Sequence, residues 1–289
     1  MRIEALRVVL HKGKQKVVGF TFTSFLLFIC IGSVVGFLAG LFGVGGGILI
    51  VPLLIFSYEY SGLAPSILTH LALGTSLFVI VFASLMSAYQ HNRQGTIAWR
   101  AVLIIGFSSA LSALMAARFA AHLRGKHLQM IFAGIVVFAL LRMVMDRRRG
   151  IQEEQETVPP SKALHFLGIG FTTGVVSALG GVGGGIIIIL MMHHLFDYPL
   201  KMAIGTSSAT IVITAFFSSA GYILNGIGHP DLPRWTLGYV DLWHGAALTI
   251  GSLFFARVGA YVSYRTHPFR LRRAFILFTF LVAVYMLLK

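Results

Sequence analysis

The sequence predicts an all-α, polytopic membrane protein built from two inverted-topology repeats. Three observations support this fold class. Hydrophobic residues fill 57% of the 289 positions, charged residues fill 11%, and the mean hydropathy is +0.85, whereas soluble proteins carry charge on roughly a quarter of their residues. Many apolar segments are long enough to cross a bilayer. A cluster of glycines also occurs twice in the same apolar context.

Ten apolar segments follow one another along the chain, five on each side of a polar joint. A membrane-spanning helix needs about 20 residues, so the second segment of each half is too short to span without tilting. We expect half-helices or hairpin arms there, and each repeat then holds about four to five hydrophobic segments with a short, glycine-broken helix. The segments cover residues 18–42, 44–57, 67–90, 99–119, 128–145, 164–180, 186–197, 203–224, 241–262 and 271–288.

The chain divides into a basic N-terminal tail (1–17), a first membrane repeat (18–145), a linker (146–163) and a second membrane repeat (164–289). The linker has mixed charge and no apolar period, which is typical of a solvated segment. Arginine and lysine concentrate in the loops on the linker's side, so the positive-inside rule places the linker in the cytoplasm. The same rule accounts for the net charge of +14 without nucleic acid as a partner.

Crossing parity predicts the inversion of the repeats. If the first two segments of a half both cross, that half has an odd number of crossings, and the number is also odd if they form a re-entrant hairpin. The halves therefore face opposite sides of the membrane. The sequence leaves open which of the two arrangements applies and on which side the N-terminus lies.

The repeated glycine cluster is the most informative motif. Gly43–Ile48 reads GVGGGI, and Gly181–Ile186 reads the same 138 positions later. A second motif, Gly74–Ser76, recurs as Gly205–Ser207 after 131 positions. Runs of glycine are unfavourable in a helix, and paired helix breaks within apolar segments are the best sequence indication of a transporter's binding site.

A broken helix suits an anion, because it offers free backbone N–H groups and the positive end of its dipole. Glycine lets the backbone approach a ligand closely, and hydroxyl groups add donors. Each candidate also has a structural explanation. The glycines could serve close helix packing, and the hydroxyls could bond to the preceding turn of their own helix. A histidine near a helix end could simply lie at the membrane interface. The predicted substrate-binding residues are Gly45, Gly46, Gly47, His70, Thr75, Ser76, Gly183, Gly184, Gly185, Thr206 and Ser207.

The acidic residues argue against a cation substrate. None of the nine lies in the middle of an apolar segment, whereas cation-coupled carriers commonly bury a carboxylate. We therefore expect an anion substrate, no metal and no cofactor. Proton coupling through histidine, or through a protonated anion, stays open. Neither an HExxH nor a GxSxG motif is present in the sequence, so an enzyme is not expected.

The repeated Gly-x-Gly-Gly-Gly element, followed in each half by Gly-Thr-Ser, resembles the TauE/SafE sulfite exporter family (TSUP transporters). The resemblance runs from about residue 25 to the C-terminus. The second half departs from the pattern at Leu190, where the first half has Pro52, and at Met191–His194. The resemblance implies transport of a small sulfur-containing or organic anion, such as sulfite, thiosulfate or a sulfonate. We expect a secondary transporter that works by alternating access around the two glycine-rich broken helices. The resemblance does not fix the direction of transport, because the family includes exporters and uptake permeases.

A passive anion channel is the alternative function, because the same positive backbone groups could line a pore. The expected surroundings are a lipid bilayer, that of the bacterial inner (plasma) membrane, which the chain crosses several times. The expected partner is a small anionic substrate. Whether the chain forms a homo-oligomer is left open by the sequence.

Overall fold

The computed structural model describes residues 22–145, 163–266 and 277. Over these residues the chain forms nine helices, whose bounds follow the predicted apolar segments closely. The predicted tail (1–17), nearly all of the linker (146–163) and, apart from residue 277, the segment 271–288 lie outside the described residues. The helices are α1 (Phe22–Phe42), α2 (Gly47–Tyr60), α3 (Pro65–Arg93), α4 (Trp99–His122), α5 (Gly125–Met145), α6 (Ala163–Gly180), α7 (Gly185–His194), α8 (Leu200–Gly226) and α9 (Leu242–Arg265).

Six of these helices are long and apolar enough to cross a membrane: α1, α3, α4, α6, α8 and α9. The 14 residues of α2 and the 10 residues of α7 extend only about 21 Å and 15 Å, against a hydrocarbon core of about 30 Å. The short arms predicted after each glycine cluster are thus present as α2 and α7. Large apolar side chains such as Phe107 and Phe254 remain exposed on the outer surface, as expected for a multi-pass integral membrane protein.

A short β-hairpin adds one element that the sequence does not predict. It lies in the connection between α8 and α9, where β1 (Thr236–Leu237) pairs antiparallel with β2 (Val240–Asp241). The turn between them contains Gly238 with φ of 54°, a left-handed conformation that glycine adopts without strain. Two residues per strand are too few to show an alternating apolar pattern, so hydropathy does not reveal the hairpin.

The two halves pack into each other rather than side by side. Helix α1, the first of its half, packs along α9, and in the same way α6 packs along α4. Helices α3 and α8 pack against each other in the middle, and each also contacts the fourth helix of the other half. The hydrophobic core is therefore shared, because neither half buries its apolar helix faces alone.

Small residues permit the close contact of α1 with α9. A Cβ atom on Gly36 would lie 2.5 Å from the Cα atom of Ser252, and one on Gly40 would meet the backbone of Ala256. Gly174 of α6 lies in the same way against Ser109 and Ser112 of α4. Gly36 and Gly40 are spaced four residues apart, and small residues at this spacing let helix backbones approach closely.

Candidate functional site

The glycine clusters form two loops that interrupt the helices. The first glycine loop (Gly43–Gly46) joins α1 to α2, and the second glycine loop (Gly181–Gly184) joins α6 to α7. In each loop three of the four residues have positive φ: 65°, 86° and 83° in the first, and 62°, 78° and 78° in the second. Residues with a side chain are strained in this region. The backbone conformation therefore explains why glycine is repeated here.

The two loops meet in the buried core of the molecule. A Cβ atom on Gly185 would lie 2.6 Å from the carbonyl oxygen of Gly43 and 2.9 Å from the Cα atom of Val44. A Cβ atom on Gly47 would meet the carbonyl oxygen of Gly181 and lie 2.7 Å from the Cα atom of Val182. The N-terminus of each short helix thus touches the glycine loop of the other half.

Each short helix begins with free backbone donors. In α2 the first helical hydrogen bond runs from the Leu49 N–H to Gly46 (3.1 Å), and in α7 it runs from the Ile187 N–H to Gly184 (3.1 Å). The N-cap residues are glycines, so no side chain caps either helix. In the described part of the chain, the N–H groups at 47–48 and 185–186 have no backbone acceptor. Two positive helix ends therefore adjoin at one place.

Ser76 and Ser207 hold the glycine loops in place from the opposite half. The Ser76 hydroxyl donates to the carbonyl oxygen of Gly181 at 2.8 Å. The Ser207 hydroxyl donates to the carbonyl oxygens of Gly43 at 2.9 Å and of Gly185 at 3.2 Å. Both serines are fully buried. Their hydroxyls thus bond across the halves and not to the preceding turn of their own helix.

Thr75 and Thr206 make a second pair of contacts between the halves. The Thr75 hydroxyl oxygen accepts the N–H of Asp241 at 2.8 Å, and that of Thr206 accepts the N–H of Ala98 at 3.0 Å. Asp241 and Ala98 are the N-cap residues of α9 and α4. The predicted hydroxyl residues therefore surround the glycine loops and position the backbone there, while direct contact with a substrate stays a prediction.

Two isoleucines between the loops are absent from the sequence prediction. A Cβ atom on Gly45 would lie 2.8 Å from Cγ2 of Ile80 and 3.5 Å from Cγ2 of Ile211. A Cβ atom on Gly183 would lie 3.0 Å from Cγ2 of Ile80 and 2.9 Å from Cγ2 of Ile211. Both isoleucines are fully buried. They are 131 positions apart, as are the two Gly-Thr-Ser motifs, and that spacing was the available signal.

Thr173 is a further residue that the sequence reasoning missed. Its Cγ2 atom would lie 2.5 Å from a Cβ atom on Gly184, the N-cap of α7. Its hydroxyl is buried and has no hydrogen-bond partner within the described residues. The counterpart in the first half is Val35, which contacts Gly46 in the same way and lies 138 positions earlier. The spacing of the glycine clusters could have revealed this extra hydroxyl group.

His70 is buried in α3, and its contacts are with other parts of the molecule. Its Nε2 atom lies 3.2 Å from the carbonyl oxygen of Ala120, and its ring lies 5.2 Å from that of Tyr239. Nδ1 is buried without a hydrogen-bond partner in the described residues. Partial burial raises the pKa of Tyr239, which lies in the hairpin turn. His70 thus belongs to a neighbourhood formed by α4 and the hairpin, and its contact with a substrate stays a prediction.

Three comparisons with known proteins bear on the identity of the chain. Residues 28–286 match the family described as Sulfite exporter TauE/SafE. A "probable membrane transporter protein" of Haemophilus influenzae is 33% identical over 268 residues, which cover 93% of this chain and all of that protein. No solved structure matches significantly.

More distant relatives carry the same description. A probable membrane transporter protein of Methanocaldococcus jannaschii is 29% identical over 85% of this chain and 89% of its own length. Another, from Bacillus subtilis, is 26% identical over 83% of this chain and 89% of its own length. The match spans both glycine loops and both Gly-Thr-Ser motifs. The chain belongs to the TauE/SafE family of membrane transporters.

Proposed function

We propose that this protein is a secondary transporter for a small anion, such as sulfite, thiosulfate or a sulfonate. The observation that carries the proposal is the meeting of the two short helix N-termini at the glycine loops. Free N–H groups and positive dipole ends from both halves adjoin there. Family membership supports transport, and the name of the family supports a sulfur oxyanion.

The chemistry of the junction favours an anion. A small oxyanion that leaves water must regain hydrogen bonds, and backbone N–H groups at helix N-termini supply them without a cationic side chain. The glycine loops keep those N–H groups free of side-chain bulk. The surrounding isoleucines, Ile80 and Ile211, exclude water, which strengthens electrostatic attraction.

We propose alternating access between two inverted halves as the mechanism. The reciprocal packing of α1 with α9 and of α6 with α4 supports it, because equivalent helices meet in equivalent ways. In such an arrangement each glycine loop is bound by a serine of the opposite half. A rocking movement of the halves would move the loops with them and open the junction first to one side and then to the other.

Counterflow tests the function. The purified protein in liposomes loaded with unlabelled thiosulfate is expected to take up ³⁵S-thiosulfate against its chemical gradient, with saturable kinetics. Sulfite, methanesulfonate and small carboxylates added outside then rank the substrates by competition. Flux that rises linearly with concentration and shows no counterflow would support an anion channel and overturn the carrier mechanism.

Thr173 offers a test of the site that spares the backbone. Glycine substitutions at the loops disturb folding and binding together, because φ is positive. Thr173→Val keeps the shape of the side chain and removes its unpaired hydroxyl. We expect KM to rise about fivefold if that hydroxyl donates to the substrate, since a neutral hydrogen bond contributes about 1 kcal/mol.

The matched control is Val35→Thr at the equivalent position of the first half. It adds a hydroxyl near the first glycine loop, and we expect it to leave the affinity for the ranked anions no weaker than in the wild type. An unchanged KM in Thr173→Val, for every anion that the wild type transports, would remove Thr173 from the site.

A further inference from the structure

We propose that Asp241, His244 and Tyr58 form a proton-binding site, and that its proton crosses the membrane together with the anion. This proton would be the coupling ion of transport, and the proposal rests on the transport function proposed above. We call this group the proton triad. It joins the start of α9 to the end of α2, next to the hairpin.

The carboxylate of Asp241 is buried and fully engaged. Its Oδ1 atom accepts the backbone N–H groups of Trp243 (2.9 Å) and His244 (3.2 Å). Its Oδ2 atom lies 2.6 Å from Nδ1 of His244 and accepts the Tyr58 hydroxyl at 3.1 Å. When the carboxylate is ionised it only accepts hydrogen bonds, so Nδ1 of His244 is the donor of this bond in that state. The other ring nitrogen, Nε2, then has a lone pair in the neutral form.

Three helices pack around the pair and contribute one apolar ring and two hydroxyl groups. Helix α1 places the ring of Phe28 4.5 Å from that of His244. Helix α3 presents the Thr75 hydroxyl, and α2 presents the buried Tyr58, the titratable group among these neighbours. The side chains of His244 and Asp241 keep 13% and 11% of their surface exposed. The pair is therefore not fully enclosed by protein, while its charge acts in a medium of low dielectric constant.

The bound proton changes the charge of the triad by one unit. With neutral His244 the triad carries a charge of −1 from Asp241. A proton from water adds to the lone pair on Nε2, no other bond breaks, and the imidazolium and the carboxylate together carry no net charge. Both states keep the same hydrogen bonds to Asp241, so the proton can come and go without rearranging the site.

Two consecutive residues of α3 connect the triad to the glycine loops. Thr75 accepts the N–H of Asp241 at 2.8 Å, and Ser76 donates to Gly181 of the second glycine loop, also at 2.8 Å. A negative triad this close disfavours a second negative charge at the loops. Protonation removes that repulsion, and by linkage the bound anion favours protonation to the same extent. Anion and proton therefore bind together and move in the same direction.

The pseudo-equivalent positions of the other half cannot bind a proton. Ala98 is the N-cap of α4 as Asp241 is of α9, and one turn further Ala101 stands where α9 has His244. Phe196 lies 138 positions after Tyr58 and belongs to the same apolar cluster as both alanines. One proton per transport cycle is the expected stoichiometry. A proton is also favoured over a metal ion, because no group of three or more His, Cys, Asp or Glu side chains forms within the described residues.

The experiment separates exchange from accumulation. Liposomes containing the protein are clamped at zero membrane potential with valinomycin and potassium. Counterflow of ³⁵S-thiosulfate and ¹⁴C-methanesulfonate is measured without a pH gradient, and uphill uptake is measured with a gradient of one pH unit. A trapped pH-sensitive dye reports proton movement. For coupling to one proton, wild-type protein is expected to accumulate the anion about tenfold, since one pH unit is worth 1.36 kcal/mol.

The variants are Asp241→Asn, His244→Asn and the control Asp231→Asn. Asparagine at position 241 remains a good N-cap, and asparagine at 244 keeps an N–H donor for the carboxylate but does not titrate. Asp241→Asn makes the site neutral, and this variant is expected to retain counterflow and to lose accumulation and proton flux. His244→Asn leaves the carboxylate negative in every state, so this variant is expected to lose accumulation and proton flux and to raise the KM of counterflow. Asp231 is exposed in the same connection between α8 and α9, and its variant should behave as wild type.

The outcomes distinguish this site from the function on which it rests. Accumulation at the wild-type level in either variant, or loss of counterflow in a well-folded Asp241→Asn protein, overturns the proton triad. Net uptake of the anion by the wild type without any proton flux does the same, whether or not the variants fold. Absence of counterflow for every anion tested with the wild type refutes the proposed transport function itself.

Discussion

Two junctions between the halves occupy equivalent places and differ in their chemistry. In each, the N-cap residue of a fourth helix donates its backbone N–H to a threonine of the other half, Thr75 or Thr206, at 2.8 Å or 3.0 Å. The polar junction is the proton triad with its threonine. The apolar junction consists of Phe196, Ala98, Ala101 and Thr206.

The difference teaches which contacts serve the fold and which serve a particular chemistry. The backbone hydrogen bond to threonine is present in both junctions, so it belongs to the shared way in which the halves are joined. The carboxylate occurs in the polar junction alone among these residues, and there an imidazole and a phenol bond to it directly. A buried charge is unfavourable unless it is paired. We therefore infer that the polar junction is kept for function and not for stability.

The largest expected effect comes from a feature that the halves share. Gly47→Ala and Gly185→Ala each push a Cβ atom into the backbone of the opposite glycine loop. We expect each to lower the free energy of unfolding by roughly 3 kcal/mol, the upper end for overpacking, and to abolish counterflow. The unfolding temperature in detergent micelles measures the first effect.

Gly134→Ala is the matched control, because a Cβ atom at that helical position meets nothing within 4 Å. It should leave stability unchanged or raise it, since alanine has the higher helix propensity. If Gly47→Ala and Gly185→Ala differed strongly from each other, the reciprocal arrangement of the loops would be wrong.

An intermediate effect distinguishes the two junctions. Thr75→Val leaves the N–H of Asp241 buried without an acceptor, and we expect a loss of roughly 2 kcal/mol. Thr206→Val removes the hydroxyl that accepts the N–H of Ala98. Ala98 is only half-buried, so water can replace that hydroxyl, and the loss of unfolding free energy should be smaller. Thermal unfolding of the two variants side by side measures the difference. If both variants lost the same free energy of unfolding, the N–H groups of Asp241 and Ala98 would be equally shielded from water in the membrane.

The smallest expected effect is a gain at the apolar junction. The N-cap of α4 is Ala98, and it makes no side-chain hydrogen bond to the helix. Ala98→Ser supplies an oxygen for a free N–H of the first turn, and we expect a stabilisation of about 0.5–1 kcal/mol. Differential scanning fluorimetry detects such a shift, and counterflow should be unchanged. Destabilisation would indicate that Phe196 and Ala101 leave no room for a polar cap.

Much of the architecture could be predicted from hydropathy and spacing. A helix that crosses a bilayer must be apolar over its length, so the order of residues along the chain suffices to locate the spans and the two short arms. The glycine loops were also predictable, because three consecutive glycines in an apolar stretch have few uses other than a helix break. The hairpin between α8 and α9 was not predictable, because two residues per strand show no period.

The environment of each candidate residue depends on contacts between distant parts of the chain. Ser76 meets Gly181, Thr75 meets Asp241, and Tyr58 meets Asp241, each pair more than 100 residues apart. His70 illustrates the limit of sequence reasoning, because its place near Gly74 in the chain does not reveal its contacts with Ala120 and Tyr239. Asp241 illustrates it too, since it lies at the edge of an apolar segment and is nevertheless buried.

The sequence by itself determined that this chain is a helical membrane protein in which one glycine cluster occurs twice, and that it belongs to the TauE/SafE transporters. Hydropathy and glycine conformation act locally, and a local property can be read along the chain. The tertiary structure decided that the glycine loops meet, that serines and threonines join the halves, and that Asp241 faces His244 and Tyr58. Hydrogen bonds and burial depend on which segments become neighbours in space, and the packing of the helices sets those neighbours.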